Sequence, residues 1–172
     1  KNLFKKWKLP ERMEEIEKAY EKLVNAKDFE EAGFLCSVFM MATPKDVEEQ
    51  EWQFNFYDGK KDAITSYTVG KEIKVVSRDA GVFHEEGEEH VEELVLGEVK
   101  VDFASAFDVL KKRLDARHEL PTHFIIVLQK LKMPVWNVSA LTDTFNLVNM
   151  RVDAQTKEIL EEKSFSMLSW KT

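Results

Sequence analysis

The sequence predicts an α+β fold made of two repeated units, each an amphipathic helix packed on an antiparallel β-sheet. Three observations carry this expectation. Residues 133–163 alternate apolar and polar side chains between turn-forming clusters, the period-2 pattern of strands with one dry and one wet face. An earlier stretch repeats the arrangement: residues 34–41 resemble 124–128, Trp52-Gln53-Phe54-Asn55-Phe56 resembles Trp136-Asn137-Val138-Ser139-Ala140, and 64–76 resemble 147–160. Each set of strands follows a run with helical spacing, and a sheet with one apolar face needs a helical stripe to cover it. The chain divides accordingly into a lead-in (1–9), a first unit (10–80), an acidic connecting loop (81–99) and a second unit (100–172). With 172 residues, 44% of them hydrophobic, the two units can form one compact domain or two that share an interface.

The lead-in KNLFKKWK sets four lysines among Leu3, Phe4 and Trp7, a composition for weak association with an anionic surface or for packing back on the core. Pro10 opens the first helix, where its missing N–H costs nothing. Met13, Ile16, Tyr20, Leu23 and Val24 form that helix's apolar stripe. Strands follow at 33–42 and 51–58, separated by the loop Thr43-Pro44-Lys45-Asp46. In the second of these, Trp52, Phe54 and Phe56 share one face, and Gln53 and Asn55 the other. A turn at 57–60 leads into a hairpin over 64–77 built around Gly70 and Lys71.

Residues 80–98 are the least regular, with Val91, Leu94, Leu96 and Val99 marking a strand or packed segment. Asp102 caps the second helix, whose stripe is Phe103, Ala106, Phe107, Leu110 and Leu114. Arg113 and Arg117 sit near its C-terminus, where the helix dipole favours positive charge, and Leu120-Pro121 ends it. The last strands begin at Thr122, at 135 after Pro134, and at 148, with a polar turn over 153–157 before Glu158-Ile159-Leu160.

That closing segment, VDAQTKEIL, resembles the terminal hairpin of PepSY-type domains, V-D-A-x-T-G-E-V-L. Val152, Asp153, Ala154, Thr156, Glu158 and Leu160 match, Ile159 is a conservative stand-in, and Lys157 replaces the usual glycine. The resemblance is clearest over residues 100–165, with a degenerate second copy over 10–80. It implies a PepSY/cystatin-like fold and a non-catalytic module that binds other proteins, in some family members by restraining a peptidase.

Charge narrows the partners. The net charge is −7, and residues 81–99 hold seven glutamates with no Lys, Arg or Asp, so the rest of the chain is neutral. Without clustered basic residues, nucleic acid is not an expected partner. Charged residues reach 33%, a thermophile-like composition. Cys36 is the single cysteine, which rules out an internal disulfide or a cysteine metal cluster and marks it as a small buried hydrophobe. No apolar run approaches the ~20 residues of a membrane span, and the reading leans toward a cytoplasmic protein. The sequence begins at Lys1, so an upstream signal or anchor in the full-length product remains compatible with it.

Catalytic machinery is not expected. His84 and His90 bracket HEEGEEH, which has ligand residue types, but a loop centred on Gly87 lacks the rigidity of a zinc site and the spacing misses H-E-x-x-H. The expectation is a solvated acidic loop with no metal. His118 and His123 have no carboxylate orienter by spacing, and Asp143 and Asp153 read as turn residues. With no G-x-S-x-G and only six glycines, neither a nucleophile elbow nor a phosphate cradle is present, and no cofactor is expected. The sequence therefore reads as a protein-binding module whose exposed edge strand pairs with a partner or with a second copy. The alternative is a small apolar-ligand carrier, with a pocket lined by Trp52, Phe54, Phe56, Trp136 and Val138.

Overall fold

A computed structural model describes residues 13–31, 33–84 and 90–170. Among them the chain forms two α-helices and eight strands, in the order α1 (Met13–Val24), β1 (Phe34–Ala42), β2 (Trp52–Asp58), β3 (Ala63–Val69), β4 (Ile73–Gly81), α2 (Phe103–Arg117), β5 (Pro121–Leu131), β6 (Met133–Thr142), β7 (Asn146–Asp153) and β8 (Ile159–Ser166). Short 3-10 turns occupy Leu96–Glu98 and Met167–Trp170. The lead-in and Pro10 lie outside the described residues.

The expectation of two helix-on-sheet units is overturned. A single antiparallel sheet runs in the order β4-β3-β2-β1-β5-β6-β7-β8, and strand outweighs helix by 44% to 22%. The seam is β1 against β5, residues 37–42 paired with 124–129, so neither meander has an edge where the other begins. The physical reason lies in those two strands. Each bonds a ladder on both sides, β1 to β2 and β5, and β5 to β1 and β6, which satisfies main-chain donors and acceptors that two separate sheets would leave at an edge.

Both helices cover the same face of this sheet. Tyr20 of α1 lies against Phe54 and Phe56, and Phe103 of α2 meets Trp52 edge-on at 5.2 Å. Trp52, Phe54 and Phe56 alternate along β2, so the two contacts fall on one side. The buried apolar side chains beneath form one cluster extending from Ile16 to Ala154. Phe54, Phe107, Phe124 and Trp136 are sealed within it, each contributing roughly 1.5–3 kcal/mol on burial.

All five expected stripe residues of α2 are buried, and Asp102 Oδ1 accepts the Ser105 N–H at 2.7 Å as its cap. The helix ends at Arg117, three residues before Leu120, because His118 turns left-handed (φ 54°) and donates its N–H back to Leu114 and Asp115. The segment before α2 is packed without being a strand. Leu94, Leu96, Val99 and Val101 are buried, and the Trp136 indole N–H donates to the Val101 carbonyl at 2.9 Å. On the opposite face, polar side chains bond one another: Asn55 donates to Ser37 Oγ and Asn149 to Ser139 Oγ.

Candidate functional site

The five residues expected to line a pocket instead fill the core. Trp52, Phe54, Phe56, Trp136 and Val138 are at most 5% exposed, and the Trp52 and Trp136 rings lie 6.2 Å apart with Phe103 between the helix and the sheet. Of the five, Phe56 alone borders a cavity lying beside α1.

That cleft encloses about 630 Å³. Its lining comes from five segments: Tyr20 and Val24 of α1, the following loop with Phe29, Glu31 and Gly33, the entry of β1 at Phe34 and Leu35, Phe56 of β2, and residues 93–97. Local chemistry holds each wall. Gly33 adopts φ 75°, and a Cβ there would fall 1.7 Å from the Tyr57 carbonyl oxygen, so glycine is required for the chain to pass. The Leu94 N–H donates to the Leu35 carbonyl at 2.8 Å, and Lys100 Nζ donates to the Gly97 carbonyl at 2.8 Å. Phe29 and Phe56 meet edge-on at 5.2 Å. Burial, followed by the charges of Glu31 and Glu93, raises the Tyr20 phenol above its ordinary pKa.

The histidines fall in separate places. His84 Nε2 lies 2.8 Å from Asp62 Oδ1, and Tyr57 Oη donates to the same oxygen at 2.6 Å. The bonds from Tyr57 and then His84 hold the Asp62 carboxyl below its usual range. Sequence spacing gave no hint of this Tyr–Asp–His group, because it joins a tight turn to a segment 22 residues further on. His90 is exposed, and residues 85–89 lie outside the described residues. His118 caps α2, and His123 is exposed on β5. Among the described residues no three His, Cys, Asp or Glu side chains converge to hold a metal ion. Cys36 is buried, and burial pushes its thiol up to about 11, far from a reactive thiolate.

The sheet presents two edges, β4 and β8. β4 is blunted by two breaks in register opposite β3, by Asp79 at φ 48° and by Lys74 and Arg78. β8 pairs with β7 in steady register from Ser166 to Glu161 and leaves Leu160 and Phe165 each 42% exposed. Arg113 bonds Glu162 at 2.6 Å on the helix side, while Arg151 and Lys163 flank Glu161 on the other. Among the described residues no helix is long and apolar enough to cross a membrane.

No protein-family model matches the chain, and no curated protein matches it. Among solved structures it is similar to a putative lipoprotein from Clostridium difficile 630, at 14% identity and a TM-score of 0.49, over 88% of this chain and 89% of that one. A likeness at this level carries neither fold nor function across.

Proposed function

We propose that this chain is a non-catalytic protein-binding module that receives an extended segment along the outer side of β8. The occupant its side chains fit is a second copy of the chain. The observation that carries the reading is the contrast between the edges: β4 has two breaks in register that deter pairing, whereas β8 has its one break at Leu160 and from Glu161 to Ser166 offers a main chain in steady register that, among the described residues, is unpaired on its outer side, with Phe165 exposed within it and Leu160 exposed beside it.

Charge selects the register. In a two-fold antiparallel pairing centred on Glu162, Glu161 of each copy stands opposite Lys163 of the other, on the face where the two already attract within one chain. The two Glu162 side chains meet on the helix side, each with its own Arg113 as counter-ion. What the PepSY resemblance implies, a module acting by binding protein, supports the same reading.

Sedimentation equilibrium over a concentration series tests it. A dimer weakened by salt is the expected result, since exposed ion pairs are screened. Lys163→Glu sets glutamates opposite one another and dissociates the dimer, and the swap Glu161→Lys/Lys163→Glu restores it. A monomer at every concentration, with β8 amide exchange independent of concentration, rejects the proposal.

A further inference from the structure

We propose that the cleft beside α1 binds a small organic amine in its protonated form, with the apolar body directed inward and the ammonium held by Glu31 and Glu93. The inference is independent of pairing at β8.

Size comes first. About 630 Å³ falls within the range of small-molecule sites, roughly 300–1,000 Å³. The floor is apolar, with Phe56, Leu35 and Leu94 all buried, and Tyr20, Phe29 and Phe34 add aromatic rings, whose faces attract cations.

Charge then selects the ligand. Glu31 and Glu93 come from separate segments and, among the described residues, are the charged ones of the lining, with no Lys, Arg or His beside them there. Among the described residues neither forms a salt bridge. Tyr20 lines the same cleft, and after burial the charges of Glu31 and then Glu93 raise its phenol above its ordinary pKa. Two like charges on one concave, partly apolar surface repel, and a bound cation relieves that repulsion. An anion of the same shape gains nothing and is excluded by the same field. A neutral molecule gains only the apolar contact.

The walls are already tied by the Leu94–Leu35 and Lys100–Gly97 hydrogen bonds, so binding does not first have to order them. Because both glutamates are exposed, their charges can be removed without disturbing the core.

Isothermal titration calorimetry on the full chain provides the test, using benzyltrimethylammonium, 2-phenylethylammonium, 2-phenylethanol and 3-phenylpropionate as probes. Both cations are expected to bind saturably and at least about tenfold (~1.4 kcal/mol) more tightly than the alcohol, with the carboxylate weakest. Glu31→Gln/Glu93→Gln abolishes that preference and leaves the affinity for the alcohol unchanged. Amide shifts of Gly33 and Gly97 locate the bound cation in the cleft. Equal affinity for cation and alcohol overturns the inference, as does a preference that survives the double substitution. So does the absence of saturable binding by either cation, or shifts confined to other parts of the chain.

Discussion

Glu119 shows how one residue ties local structure to solution conditions. It lies buried in the link between α2 and β5, where a carboxylate is costly unless well bonded. Burial opposes its ionisation, but bonds from Arg117, Thr142 and Asn146 outweigh that cost and hold its pKa below the usual 4.5. The Arg117 Nε–H donates to Oε1 at 2.5 Å and the Asn146 amide to Oε2 at 3.2 Å. A depressed carboxylate pKa means stability that is complete above the unfolded-state value and is lost as pH falls through the native one. Glu119→Gln is therefore expected to cost about 1–2 kcal/mol at neutral pH and progressively less below pH 4.5. Urea melts of both proteins from neutral to acid pH measure this; a difference constant with pH would show that the charge contributes nothing.

Among the elements, the β7–β8 hairpin shows the cost of one departure from a turn's preferred residue. Asp153 Oδ1 accepts the N–H groups of Gln155 and Thr156, which nucleates the turn, and the Lys157 N–H returns to the Asp153 carbonyl at 2.9 Å. Closing the turn puts Lys157 at φ 68°, a region that penalises any Cβ, at the position that is glycine in the PepSY motif. Lys157→Gly is expected to raise stability by up to about 1 kcal/mol, the left-handed penalty less the added freedom of the unfolded chain. Chemical denaturation checks the sign, and a loss of stability would assign a stabilising contact to the lysine side chain. The turn residues were legible because Asx chemistry is local, whereas the backbone angle that penalises Lys157 appears only once β7 and β8 are paired.

For the whole molecule, the decisive feature is the β1–β5 seam. Separate units, each with its own sheet and helix, would unfold independently; a shared ladder and one apolar cluster predict a single cooperative transition. Differential scanning calorimetry is expected to give one peak with equal calorimetric and van't Hoff enthalpies, and two resolved transitions would contradict it. The seam also creates the edges. Once β1 and β5 take the centre, β4 and β8 are left outermost, and the binding proposal for β8 follows from that order.

Local pattern alone determined the stripe of α2, that of α1 apart from Val24, which stays exposed, the alternating strands, the Asp102 cap and the burial of Cys36, because each depends on neighbours a few residues away. The tertiary structure alone decided that 34–42 and 121–131 pair with each other, that the aromatic row of β2 fills a core and reaches a cleft only at Phe56, and that Glu31 and Glu93 share that cleft. Those outcomes rest on contacts between distant segments, and the apolar pattern that demands a partner for a strand does not say which partner it will meet.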